Sequence, residues 1–227
     1  MVVKIDFNNS LATSFNAVSN TTSFFVDSNG RDRFLVVGVS LVNSISQIVS
    51  SITYAGQSLT SAGAQSGSTL ARIEIWYLVN PPTGANNLVT TLSASTTTII
   101  GVTCWNNVDQ QDPYYGSFSS TQGNDRTGTL NFTNDSDSTA LCVVGKSGTG
   151  TFSFSNPTFV FQRWNILTTF RGAGATRQAV TNTSLSITWT SGGKSTYAMG
   201  LIVMKPVRIP PVPTNEPVRL KDEVVAY

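Results

Sequence analysis

The residues best suited to chemistry lie on one strand-like segment, ARIEIWYLV at positions 71–79. An exposed tryptophan beside an arginine and a glutamate can stack on a sugar ring and hydrogen-bond its hydroxyls. The alternative is a tryptophan packed beneath a loop, with an Arg–Glu pair at its rim. Trp164, in the segment FQRWN, is a second tryptophan next to an arginine and is a further candidate for the platform. Strand alternation puts Arg72, Glu74 and Trp76 on the candidate ligand platform and Ile73, Ile75 and Tyr77 on the core face.

The side chains needed for most enzyme mechanisms are missing. The chain has no histidine, which excludes Ser-His-Asp and Cys-His catalysis and the commonest zinc sites. Glycoside hydrolysis needs a carboxylate pair. Glu74 is the only glutamate before residue 206, and Asp109 and Asp112 lie in the turn-like NVDQQDP. We therefore predict a protein without enzymatic activity.

Two further patterns are weak candidates for ligand sites. Asp125, Asp135 and Asp137 are spaced like a calcium-binding loop, but the glycine and terminal glutamate of an EF-hand are missing. The segment RGAGATR at 171–177 is glycine-rich but has no Walker lysine. We expect solvated turn residues in the first case and a loop in the second. No metal and no cofactor are predicted.

The elements that would position these residues are β-strands. Apolar runs are four to eight residues long, rich in Val, Ile, Thr and aromatics, and bounded by Gly, Asn, Ser or Pro. The pattern predicts an all-β protein. The predicted strands cover residues 2–7, 22–27, 33–41, 48–54, 71–79, 87–93, 97–105, 128–132, 139–145, 151–154, 158–164, 166–170, 184–190 and 196–204.

A weak internal repeat relates the two halves of the chain. FLVVGVS at 34–40 is similar to ALCVVGKS at 140–147, and NLVTTLSAS at 87–95 to SLSITWTSG at 184–192. TIIGVTCW at 98–105 is likewise similar to YAMGLIVM at 197–204. The repeat allows two Ig-like sandwiches in tandem or one sandwich with pseudo-twofold halves. Because no linker separates the halves, we favour a single jelly-roll-like antiparallel β-sandwich.

Composition narrows the possible partners. Charged residues make up 11% of the chain, with a formal net charge of +2 and no basic run, so nucleic-acid binding is not predicted. No apolar stretch reaches about 18 residues, and MVVKIDFNNS lacks the features of a secretory signal, so neither a membrane role nor secretion is predicted. Cys104 and Cys142 lie in apolar runs and are expected to be buried free thiols, with a disulfide as the alternative.

The C-terminal arm, residues 206–227, contains five of the nine prolines. Proline lacks the backbone donor that sheet interiors and helices need. An extended arm of this kind gains about 3.1 Å per residue and could reach roughly 65 Å, far enough to contact a neighbouring subunit. The residues expected to make assembly contacts are Val207, Ile209, Pro210, Pro211, Val212, Pro213, Pro217, Val218, Leu220 and Val224.

Several segments together resemble a β-sandwich module that recurs in bacterial surface proteins and in virion proteins of tailed bacteriophages. They are DRFLVVGVSL, ITYAGQSLT, RIEIWYLVNPPTGANNLVTTLS, GVTCWNNVDQQDPY, QRWN with FRGAGATRQA, and ITWT with YAMGLIVMKP, across residues 22–206. The resemblance implies an N-terminal strand or arm at 1–21, a sandwich at 22–205 and the C-terminal arm. It implies no single activity, because one fold supports many functions.

These observations lead to two expectations about function. The first is a non-enzymatic virion structural protein of a tailed phage, of the capsid decoration or cement type, with a tail or fibre component as the nearest variant. It would contact other virion subunits, the major capsid protein first among them, and form a homo-oligomer. The alternative is a carbohydrate-binding module at a bacterial cell surface that uses Trp76, Trp105 or Trp164.

Overall fold

The computed structural model of the chain describes residues 2–42, 47–67, 70–133, 137–148, 150–154, 160–167, 169–178 and 184–208. Regular structure within these residues is entirely β, as predicted. The strands are β1 (Lys4–Val26), β2 (Phe34–Leu41), β3 (Val49–Tyr54), β4 (Gln57–Ser58), β5 (Thr60–Gly67), β6 (Ala71–Val79), β7 (Gly84–Asn106), β8 (Ser119–Thr133), β9 (Thr139–Ser147), β10 (Ser153–Phe154), β11 (Val160–Leu167), β12 (Phe170–Gln178) and β13 (Ser184–Met204).

Each half of the chain forms one antiparallel sheet, and the two sheets have the same strand order. Sheet 1 runs β4-β3-β7-β2-β6-β5 with β1 paired to β7, and sheet 2 runs β10-β13-β9-β12-β11 with β8 paired to β13. Apart from β4, every strand of sheet 1 therefore has a counterpart in sheet 2, in the same chain order. A tandem of Ig-like domains would instead need two sheets in each half. The repeat predicted from the sequence is present as a duplicated sheet.

The buried apolar side chains of the described residues form three clusters. One lies between the sheets and draws residues from both, including Phe34, Ile73, Val143 and Trp164. The other two lie on the far faces, each enclosed by a single curled sheet. The central strands β2 and β9 are covered on both faces, and β2 is buried along its whole length. This explains why both strands are continuous apolar runs instead of alternating ones.

Several strands are longer than predicted. β1, β7 and β13 each join two segments that we expected to be separate strands. β7 remains extended because its partner changes along its length, from β3 at residues 88–92 to β2 at residues 98–105. The Ser- and Thr-rich stretch between these ladders is compatible with a strand because threonine is β-branched. β1 also continues through residue 21, where the expected N-terminal segment ends.

The indole of Trp164 on β11 packs against the backbones of three glycines. Gly38 on β2 and Gly101 on β7 are register partners in sheet 1, and Gly174 lies opposite Trp164 in sheet 2. A Cβ atom would lie 2.1 Å from the indole ring at Gly101, 2.3 Å at Gly174 and 2.9 Å at Gly38. Any side chain at these positions would displace the ring. The segment RGAGATR, expected to be a loop, is thus part of buried strand β12, where Gly174 makes room for the indole.

Substituting Gly101 tests this packing. Gly101→Ala should lower the free energy of unfolding by about 1–3 kcal/mol, the usual cost of overpacking a rigid core. Gly192→Ala is the matched control, because a Cβ atom there has nothing within 4 Å and should change stability by less than about 1 kcal/mol. Denaturant titration measures both values, and equal stability of the two variants would contradict the packing.

Candidate functional site

The carboxylate of Glu74 is buried and accepts three hydrogen bonds. Its Oε1 accepts from Arg72 Nε at 2.7 Å and from the backbone N of Val49 at 3.1 Å, and its Oε2 accepts from Trp76 Nε1 at 3.0 Å. Arg72 also donates to Ser66 Oγ at 2.9 Å. Because β7 and β2 separate β3 from β6 in sheet 1, the bond to Val49 spans the concave side of the curled sheet. Glu74 on β6 is thus hydrogen-bonded to β3 across the concave face and stabilises the curled shape of sheet 1.

This network occupies the groups that a sugar platform would use. Trp76 is partly buried against the cluster inside sheet 1, and its indole N–H is donated to Glu74. Trp105 and Trp164 are only 2% and 5% exposed. Arg72, Glu74 and Trp76 do lie together as predicted, but Trp164 lies in the core between the sheets. Neither of the buried indoles presents an open face on which a sugar could stack.

A pocket of about 300 Å³ opens at the seam between the two sheets, and we call it the seam pocket. Lys4 and Gln178 are its exposed residues, whereas its floor is buried. None of the lining residues that the structure describes is acidic. Sheet 1 contributes Lys4, Ile5 and Trp105, sheet 2 contributes Thr139, Arg163, Thr176 and Gln178, and Val3 completes the wall just before β1.

The Arg163 side chain contacts two other lining residues of the seam pocket. Its guanidinium carbon lies 5.4 Å from the centre of the Trp105 ring, and its Nε donates to Thr176 Oγ1 at 2.7 Å. Burial lowers the pKa of Arg163, although a guanidinium stays protonated at any ordinary pH. Sequence reasoning did not single out this pocket. The sequence feature that could have indicated the pocket is Arg163 itself, because strand alternation places it on the opposite face from its neighbours Gln162 and Trp164.

The chain leaves the sandwich at a fixed point. Pro206 forms a bridge with Val108, and Val207 donates its backbone N–H to the carbonyl of Asn107 at 3.0 Å. One residue earlier, Lys205 forms an ion pair with Asp112. The backbone of the C-terminal arm is therefore held as far as Val207. The other predicted arm contacts, from Ile209 to Val224, lie outside the described residues.

The aspartates that are spaced like a calcium-binding loop are not grouped as a metal site within the described residues. Asp125 is exposed and accepts a hydrogen bond from the backbone N of Arg126, while Asp135 lies outside the described residues. Within the described ranges, no three His, Cys, Asp or Glu side chains are grouped closely enough to hold a metal ion. The same part of the chain has no helix long and apolar enough to span a bilayer.

Both cysteines are buried and neither forms a disulfide, as predicted. Cys104 belongs to the cluster inside sheet 1 and Cys142 to the cluster inside sheet 2, so they are not positioned to form a disulfide. Burial raises the pKa of the Cys142 thiol.

Comparison with known proteins gives no relative from which a role could be transferred: no protein-family model, curated protein or solved structure matches the chain.

The Glu74 network can be tested by substitution. Glu74→Ala should lower the free energy of unfolding by about 2–3 kcal/mol, because it leaves buried donors unpaired while the partly exposed Arg72 can still be hydrated. Glu74→Gln should cost less because its amide oxygen keeps one acceptor. The exposed Asp125→Asn is the control and should stay within about 0.5 kcal/mol of wild type. If Glu74→Ala were as stable as wild type, the proposed stabilisation of sheet 1 by the Glu74 hydrogen bonds would be contradicted.

Thiol accessibility tests the two one-sheet clusters. Since the thiolate is the reactive form and a raised pKa reduces its population, Cys142 should not react with Ellman's reagent in native protein at pH 8. Cys104, equally buried, should also be protected. Both should react at once in concentrated guanidinium chloride. Rapid labelling of a native thiol would show that its sheet opens readily.

Proposed function

We propose that this protein is a non-enzymatic structural component of a tailed-phage virion, of the capsid decoration or cement type. The observation that carries the proposal is the fixed exit of the C-terminal arm. Backbone hydrogen bonds hold the chain at Asn107–Val207, and a proline-rich segment follows directly. Because the arm starts from a fixed point on the sandwich, the contacts that we propose for it would be tethered to that point.

In this proposal the sandwich is a rigid block and the arm makes the contacts between subunits. Proline-rich backbone keeps its polar groups available, and extended segments add to sheet edges or fill grooves of a partner. The apolar residues Val212, Val218, Leu220 and Val224 would bury area against a neighbouring virion subunit, with the major capsid protein and a second copy of this chain as the expected partners. Such contacts stabilise a shell through buried surface alone.

The carbohydrate-binding alternative is less well supported by the surroundings of the tryptophans. It required an exposed indole at Trp76, Trp105 or Trp164, but two of these are buried and the N–H of the third is engaged by Glu74. Glycan recognition by an open aromatic platform is therefore not the favoured function.

Removing the arm tests the proposal. A variant lacking residues 209–227 keeps the hydrogen bonds at Val207, so its melting temperature should match that of wild type within about 2 °C, while its copy number per purified particle should fall to near zero. Quantitative mass spectrometry of virions assembled with either form measures this. A second variant, with Val212, Val218, Leu220 and Val224 changed to serine, should behave similarly, whereas Thr214→Ser should incorporate normally. Wild-type occupancy of the truncated protein would contradict the role of the arm, and absence of the full chain from every particle would contradict the virion role itself.

A further inference from the structure

The duplicated sheets allow the seam pocket to be compared with the matching location in the other half. In sheet 1, Phe34 is the register partner of both Trp105 and Val79, and in sheet 2 Thr139 is the partner of both Met204 and Gln178. These ladders align the halves residue by residue. Corresponding pairs are Phe34 and Thr139, Trp105 and Met204, Val79 and Gln178, and Tyr77 and Thr176.

Two irregular features extend the alignment to the edges of the sheets. A bulge at Ala62 in β5 recurs at Arg163 in β11, opposite equivalent positions of the neighbouring strand. Trp105 is paired with Ile5, and its counterpart Met204 is bridged to Tyr114. Arg163 therefore corresponds to Ala62, and Ile5 corresponds to Tyr114.

The matching location is a filled apolar core. Phe34 and Met204 are fully buried there, and Ala62, Tyr77, Val79 and Tyr114 pack against them in the cluster between the sheets. The ring of Tyr77 lies 5.3 Å from that of Phe34 and 5.6 Å from that of Tyr114. In the seam pocket, four of the six corresponding residues are polar or charged, and the space is hollow. The same strand arrangement is thus filled by apolar side chains at the matching location, whereas the seam pocket is open and lined by cationic and hydrogen-bonding side chains.

Such a difference needs a physical reason, because an unfilled space between the sheets lacks the packing contacts that the matching location makes. A ligand that fills the space and pairs with the polar groups supplies such contacts. We propose that the seam pocket binds a hydroxylated organic carboxylate of about the size of one acidic sugar. This site does not depend on the virion role and would be an additional binding activity.

Each part of the proposed ligand matches a part of the pocket. Lys4 and Arg163 supply two positive charges, and none of the described lining side chains is acidic, which suits one carboxylate. Lys4 has no ion-pair partner among the described residues. Thr139, Thr176 and Gln178 can hydrogen-bond ligand hydroxyls, and Val3 and Ile5 form an apolar wall for the carbon skeleton beside the Trp105 ring, which Arg163 covers. A volume of about 300 Å³ equals roughly ten water molecules at about 30 Å³ each, enough for one sugar ring with its substituents.

The experiment is a titration of the ¹⁵N-labelled full chain with D-glucuronate, D-glucose and acetate, followed by amide chemical shifts. Glucuronate should give saturable shifts at Lys4, Arg163 and Gln178 with a dissociation constant of about 1 mM, whereas glucose and acetate should bind at least about tenfold more weakly. Lys4→Gln should weaken glucuronate binding by about fivefold, the effect of losing one charge-assisted contact. Lys194→Gln removes the same charge from an exposed residue outside the pocket and should leave the affinity unchanged.

A filling variant provides an independent test. Thr176→Tyr installs the residue that the other half has at this position, so it should abolish glucuronate binding while the protein still melts cooperatively. If this variant fails to fold, the Lys4→Gln result alone decides. Absence of saturable shifts at about 20 mM glucuronate would overturn the proposal. Equal affinity for acetate or glucose, or equal weakening by Lys4→Gln and Lys194→Gln, would overturn it as well.

Discussion

The packing of Trp164 against three glycine backbones constrains the rest of the structure. The indole lies between the sheets, so both must keep bare backbone facing it, and Gly38, Gly101 and Gly174 meet that need on three different strands. Burying a ring of 150–250 Å² at about 25 cal/mol/Å² is worth roughly 4–6 kcal/mol as an upper estimate. The indole Nε1 has no hydrogen-bond partner among the described residues, which costs about 1–3 kcal/mol of that gain. The net gain is available only when the two halves are packed together.

Duplication gives the two halves a common framework in which they carry different polar sites. Two sheets of the same strand order share one core, while each also encloses a core of its own. Within that common frame the halves differ in where they place polar groups. Sheet 1 buries Glu74, with its hydrogen-bond donors arranged around it. Sheet 2 buries Lys146 at the position that corresponds to Leu41 of sheet 1. Burial lowers the pKa of that lysine, with a smaller contribution from Arg171, and its ammonium lies over the Phe152 ring.

The sequence was sufficient to predict the features that depend on local pattern. β-branched runs bounded by turn residues predicted the all-β class, and matching apolar runs in β2 and β9 predicted the repeat. Other features depend on contacts far apart in the chain. Glycines 172 and 174 were expected in a loop because glycine signals turns in isolation, whereas here Gly174 faces Trp164. The seam pocket could not be predicted, because its residues meet only once the register of both sheets is known.

The central claim is that the two sheets form one cooperative unit locked by their shared core. Differential scanning calorimetry of the full chain tests it most directly, because the ratio of calorimetric to van't Hoff enthalpy reports how many units unfold together. Our account predicts a single transition with a ratio close to 1. Two resolved transitions, or a ratio near 2, would show that the sheets unfold independently and would contradict the interlock at Trp164.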